Sequence, residues 1–222
     1  MRTGVDTPYT LTATIKTEAM LPDGTTRSGS TTSRQVRDSL GRTRVENPSF
    51  CAMDSEHQPH WNGSIVVTDP VTNTRTAWML NFPSSVRTVS VTHMLSGLKM
   101  PRPLTPQDEY NMQKRIAQSQ DPKAGSQRVE DLGTRNILGL QASGFRITRS
   151  TTTMIAGNSI LLTYVEETWV SDQYRMVLLD IQDDPIVGKS TYEVTDFNRD
   201  EPDASLFQPP AGYVHDERTV TQ

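Results

Sequence analysis

A mainly β fold is expected: a strongly curved antiparallel meander, a half-barrel of about ten to eleven strands with one covering helix. Three observations point there. Apolar residues alternate with threonines and serines at a period of two over many short runs. Gly and Pro turn signals separate these runs at short intervals. Only one segment carries the start, stripe and stop of a helix.

The first strand is YTLTATIK, where Tyr9, Leu11, Ala13 and Ile15 alternate with Thr10, Thr12, Thr14 and Lys16. Leu21-Pro22-Asp23-Gly24 turns the chain into a polar return strand over 25–36. Asp38-Ser39-Leu40-Gly41 turns it again into a third strand over 42–46. The segment 47–64, with Pro48, Pro59 and Gly63, loses the alternation and reads as an irregular loop insertion. Strands resume at 65–68, at 74–80 with Trp78, and at 86–94 with Val89, Val91 and His93 on one side. Pro101, Pro103 and Pro106 open a linker and helix lid over 101–123. There Thr105 caps the helix, Pro106 takes its first position, and Asp108 completes a capping box. Tyr110, Met112, Ile116 and Ala117 form its narrow stripe. Strands are then expected at 127–131, 135–138, 140–153, 160–170, 175–182 and 190–198, followed by an extended tail over 200–222.

The 222 residues suit a single β domain spanning 1–222. Hydrophobic residues make up only 34% and mean hydropathy is −0.55, which fits a sheet with one wet face better than a sheet covered on both. The net charge of −4 argues against nucleic acid as a partner, since a duplex binder needs a basic field. One cysteine excludes an intrachain disulfide. No run approaches the roughly 20 apolar residues of a spanning helix, so no transmembrane segment is expected.

Several clusters carry potential chemistry. Phe50 to Ser64 holds Cys51, Asp54, Glu56, His57 and His60. Zinc needs three or four converging nitrogen or thiolate donors; Cys51, Asp54 and Glu56 could add to His57 and His60, and His93 or a strand carboxylate would have to join them in space. An exposed polar stretch is the commoner meaning of such a segment, and a histidine beside Val89 and Val91 is more often a satisfied core residue. Asp180, Asp183 and Asp184 offer oxygens for calcium but lack the alternating spacing of a dedicated loop. Glu166 and Glu167 face opposite sides of a strand; an inward one would serve as a base if raised, or pair with an arginine. Arg34, Arg37, Arg42 and Arg44 crowd one hairpin, either as an anion patch or as charges guarding a sheet edge. No Gly-x-Ser-x-Gly elbow is present.

EDLGTRNILGLQASGFRITRS, EETWVSDQYRMVLL and the ending DEPDASLFQPPAGYV resemble segments of a group of uncharacterised secreted bacterial proteins. The hairpins RDSLGRTRVE and VVTDPVTNTRTAWML fit the same group, so the likeness runs from about Tyr9 to Val214. Its plan is similar to the lipoprotein-carrier (Lol-type) half-barrel superfamily of the bacterial envelope. The resemblance implies a curved sheet around an apolar cavity and a periplasmic or secreted location. MRTGVDTPYT runs straight into strand-like alternation, which fits either a cytosolic protein or a mature form whose leader is absent, and the resemblance favours the second.

The leading expectation is an exported, non-catalytic β domain that binds a hydrophobic or amphipathic ligand: a lipid, an acyl chain or a lipoprotein. Leu11, Ala13, Ile15, Trp78, Val89, Val91, Trp169 and Leu178 would line its cavity, and no cofactor is implied. One alternative is a small metal-assisted hydrolase of an ester or lactone, with zinc or calcium and with His57, His60 and His93 as ligands. Another is an envelope protein-interaction module without a ligand. No catalytic residue is assigned.

Overall fold

The computed structural model describes residues 7–21, 23–47, 51–53, 59–61, 63–80, 87–93, 112, 126–155 and 157–219. Its strands are β1 (Tyr9–Met20), β2 (Thr26–Arg37), β3 (Thr43–Asn47), β4 (Cys51–Met53), β5 (Pro59–Trp61), β6 (Gly63–Asp69) and β7 (Thr74–Leu80). They continue with β8 (Thr88–His93), β9 (Ser126–Ile137), β10 (Leu140–Ile155), β11 (Asn158–Ser171), β12 (Met176–Asp184), β13 (Gly188–Asn198) and β14 (Val214–Thr219). Twelve of them share one sheet in the order β14-β8-β7-β6-β3-β2-β1-β13-β12-β11-β10-β9, which does not close on itself. The order is two meanders joined through β1 and β13.

The chain divides into two compact units. The first comprises Met1–Ala13, Thr32–Arg102 and Asp196–Gln222; the second comprises Thr14–Thr31 and Pro103–Thr195.

In the first unit, alternation dictates burial. Tyr9, Leu11 and Ala13 are buried while Thr10 and Thr12 are not, and Ile65 and Val67 repeat the pattern on β6. Val36, Ile65, Val67, Trp78, Val89 and Phe207 form one apolar cluster, with Leu80, Val91, Leu206 and Tyr213 against it. Phe207 comes from a 3₁₀ turn over Ala204–Phe207, whose cap Asp203 accepts a hydrogen bond from the Ser205 amide. The β2–β3 turn is built by buried Asp38. Its Oδ1 accepts from the Leu40 and Arg42 amides, and its Oδ2 accepts from Arg42 Nε at 2.6 Å. Gly41 adopts φ +82° there, a conformation that favours glycine.

In the second unit, Phe145, Ile147 and Val170 form a cluster with Val129 against it. β9 runs unbroken where two strands were expected. The interruption between them is a bulge: pairing with β10 skips Leu132, and Gly133, at φ +76°, donates its amide to Asp131 Oδ1 at 2.8 Å. At Gly188 (φ +98°) a Cβ would overlap the Glu18 carbonyl, so β13 can start beside β1 only with glycine there.

Three features differ from expectation. The meander is not wholly antiparallel, because β14 pairs parallel to β8. The tail over 200–222 is therefore more than an extended segment: Val214–Thr219 completes the sheet, tethered by the Phe207 turn that precedes it. The insertion over 47–64 contains a small hairpin, with Cys51 opposite Trp61, Ala52 opposite His60 and Met53 opposite Pro59. Pro59 is tolerated because it begins its strand and owes few ladder bonds. The helix over 105–120 lies outside the described residues except for Met112, which is helical.

Candidate functional site

In the second unit, Phe145, Ile147 and Arg149 alternate along one face of β10, and the cross-strand partners of Ile147 and Arg149 on β11 are Glu166 and Tyr164. The two core residues, Phe145 and Ile147, are buried. Two positions further on, the same face opens into a groove of about 390 Å³. Leu162, Tyr164, Pro185 and Ile186 give it apolar walls, while Arg149, Gln127 and Thr151 supply polar atoms.

The groove's charge is organised. The Arg149 guanidinium lies 5.4 Å from the centre of the Tyr164 ring and 3.6 Å from Glu166 Oε2, and its Nε donates to Gln127 Oε1 at 3.4 Å. Burial, then the Glu166 charge, pushes the Tyr164 phenol above its ordinary range, so it stays a neutral hydrogen-bonding group. The β12–β13 turn forms the groove's outer wall. There Asp184 Oδ1 accepts from the Ile186 and Val187 amides at 2.7 and 3.0 Å, fixing the turn that presents Pro185 and Ile186.

The opposite face of the same strands is ionic. Arg146 Nη2 donates to Glu167 Oε2 at 2.7 Å, and Trp169 Nε1 donates to Glu167 Oε1 at 2.8 Å. Partial burial pushes the Glu167 carboxyl up, but the Trp169 and Arg146 hydrogen bonds and the charges of Arg146 and Arg135 outweigh it. The carboxyl is held below its ordinary range. It is a paired structural anion and not a base with a raised pKa.

The eight residues expected to line a cavity occupy other positions. Leu11, Ala13, Trp78, Val89, Trp169 and Leu178 are buried, Val91 packs against the first unit's cluster, and Ile15 is half-buried. None of the eight lines the groove. His57 lies outside the described residues. His60 sits on β5 opposite Ala52, and His93 is exposed at the end of β8, 3.8 Å from Glu217 on β14. Asp183 lies on the ionic face and Asp184 on the groove face, while Asp180 accepts from Thr168 Oγ1 and Gln182 Nε2. Among the described residues, no three His, Cys, Asp or Glu side chains come together as a metal site.

The arginine hairpin is no sheet edge, since β1 and β6 flank β2 and β3. Arg37 lies over Tyr9, Arg42 over Phe207 and Arg44 over Trp78. Arg44 Nη1 also donates to the Leu206 carbonyl at 2.8 Å. Arg42 and Arg44 thus hold the C-terminal turn in place.

Sequence reasoning missed the groove. The available signal was the pair Leu162 and Tyr164 at period two beyond a core face, with Asp-Asp-Pro-Ile-Val alongside. No family model matches the chain, and no curated protein matches it.

Proposed function

We propose that this chain is an exported, non-catalytic β protein of the bacterial envelope that holds an amphipathic small molecule in the groove of its second unit. The observation that carries the reading is the groove itself. Its volume falls within the roughly 300–1,000 Å³ of small-molecule sites. Its apolar walls, Leu162, Tyr164, Pro185 and Ile186, stand beside one organised polar corner at Arg149 and Glu166. A chain or ring would lie against the walls. A polar head would exchange hydrogen bonds with Arg149 and the Tyr164 hydroxyl. Because Glu166 already faces the Arg149 charge, the corner suits a head carrying both donor and acceptor better than a bare multivalent anion. The likeness of several segments to secreted bacterial proteins supports the location. The curvature and covering helix expected from that likeness belong to the same proposal.

The test is equilibrium binding of a dansyl-labelled fatty acid, followed by its emission. Removing the Tyr164 ring takes away one wall, so Tyr164→Ala is expected to weaken binding by about tenfold or more. Arg149→Gln should weaken a polar-headed probe more than its methyl ester. An affinity indifferent to both substitutions would place the ligand elsewhere or nowhere.

A further inference from the structure

β10 and β11 run past their neighbours. On one side, β9 begins at Ser126, opposite Ser150; on the other, pairing with β12 ends at Val165 opposite Asp183. Among the described residues, the remainder of the hairpin pairs only with itself, from Thr151 opposite Leu162 to Ile155 opposite Asn158. At roughly 3.3 Å per residue, it projects about 20 Å beyond Tyr164.

This ribbon, TTTMIAGNSILL, contains no charged residue. Met154 and Leu161 are each 66% exposed, and Ile160 is exposed as well. Ile160 and Leu161 are adjacent on one strand, so they point to opposite faces. The β12–β13 turn lies at the same end of the unit and shares the groove with Leu162 and Tyr164. It presents Ile186 and Val187 at 74% and 72% exposure. Asp184 accepts both of their backbone amides, so that turn offers bare side chains to an apolar medium at little further cost in unpaired backbone.

We infer that this end of the second unit docks on a lipid surface, with Met154, Ile160 and Leu161 of the ribbon and Ile186 and Val187 of the turn entering the headgroup–acyl boundary. Two features select lipid over a protein partner or a second copy. A protein surface covers one face of a ribbon, whereas here apolar side chains are exposed on both, Met154 and Leu161 on one face and Ile160 on the other. A specific protein interface also carries polar or charged groups to fix orientation, and the twelve residues of the ribbon contain no ionic group. The insertion is shallow. Among the described residues neither ribbon edge has a strand partner, and edge backbone groups of that kind are not tolerated in the hydrocarbon interior but are in the hydrated boundary. The threonine and serine hydroxyls at Thr151, Thr152, Thr153 and Ser159 suit that depth. The uncharged tip makes attachment insensitive to headgroup charge.

The experiment is co-sedimentation of the full chain with phosphatidylcholine vesicles, with and without added phosphatidylglycerol. Both are expected to bind it to a similar extent, and Leu161→Asp is expected to weaken binding by about tenfold or more. In Leu161→Trp, the added tryptophan emission should shift blue on vesicles and be quenched by brominated acyl chains. Leu161 does not line the groove, so Leu161→Asp should keep the dansyl fatty-acid affinity. That result verifies folding and separates this inference from the groove's. Failure of the chain to sediment with either vesicle overturns it. So does binding confined to anionic vesicles, or a dimer in sedimentation velocity that Leu161→Asp dissolves.

Discussion

Replacing Phe207 by alanine should destabilise the first unit more than any other single truncation in the C-terminal segment. Phe207 is 4% exposed and packs with Val36, Ile65, Val67, Trp78 and Val89. Its trimming removes on the order of 150 Å² of buried apolar surface, worth about 4 kcal/mol at roughly 25 cal/mol per Å². The Arg42 guanidinium, 4.7 Å from the ring centre, loses a cation–π contact worth about 0.5–1 kcal/mol. A total near 4–5 kcal/mol sits at the top of the roughly 3–5 kcal/mol known for such substitutions. It is comparable to much of a domain's net stability of about 5–15 kcal/mol. The damage should also be directional. Phe207 anchors the turn that delivers β14 to β8, and Val214 donates its amide to the Arg87 carbonyl at 2.7 Å. Urea unfolding followed by circular dichroism measures the first effect, and hydrogen exchange of the β14 amides measures the second. Leu40→Ala, at a residue 58% exposed, is the control and should be nearly silent. A Phe207→Ala loss under about 1 kcal/mol, or unchanged protection of β14, would refute the anchoring argument.

Three further outcomes follow from the second unit. A Cβ at Gly144 would stand 2.6 Å from the Trp169 ring, which the Arg135 guanidinium holds at 3.9 Å, so Gly144→Ala should cost about 1–3 kcal/mol and alter tryptophan emission. Unchanged emission and an unchanged urea midpoint would contradict that packing. Gly188→Ala should be at least as costly, since positive φ and overlap with the Glu18 carbonyl act together; a wild-type midpoint in thermal unfolding would show that β13 starts elsewhere. Glu167, with its folded pKa depressed, stabilises fully above the unfolded carboxylate value of about 4.3 and loses that contribution as pH falls through the lower folded value. The stability gap between wild type and Glu167→Gln should therefore be constant from neutral pH to about pH 5 and narrow below about pH 4; a gap that persists in strong acid would mean the charge is not its source.

The strands were legible because period-two alternation is a local property. Tyr9, Leu11 and Ala13 alternate with threonines whatever lies across the sheet, and the same holds for Ile65 and Val67. Register and pairing were not local. Nothing in VHDERT announces a parallel partner, because its alternation fits an extended tail as well as a strand, and only its placement beside β8 decides. The arginines illustrate the same limit. Four in one hairpin look like a solvated patch until Phe207 and Trp78 arrive from distant segments to lie under two of them, Arg42 and Arg44. Burial of Trp78, Val89 and Trp169 was foreseeable from apolar alternation. Whether such residues fill a core or line a void depends on what meets them, and in the first unit Phe207 is among what meets Trp78 and Val89.

The scarcity of apolar residues gives the exposed ones their weight. A chain with only 34% hydrophobic residues has little to spare from its core, and scattered exposed leucines would carry no message by themselves. In the second unit Met20, Leu21, Met112 and Leu138 are also exposed, but one group of exposed residues is concentrated. Met154, Leu161, Ile186 and Val187 gather where two hairpins end, while the strand surfaces between them are threonine, serine and paired ions. If solubility alone governed, hairpin ends would be the easiest places to put charge, because turns tolerate nearly any polar residue. Instead the Asp184 carboxylate is drawn back into the turn to bind the Ile186 and Val187 amides, which leaves the apolar side chains at the tip. Groove and tip are therefore adjoining parts of one apolar end of the second unit. A molecule leaving a lipid surface at the tip would meet Ile186 first and Tyr164 next. On the proposed route, substitutions at Met154 or Leu161, which do not line the groove, should slow ligand entry from vesicles without changing equilibrium affinity in free solution, whereas Tyr164→Ala should weaken that affinity.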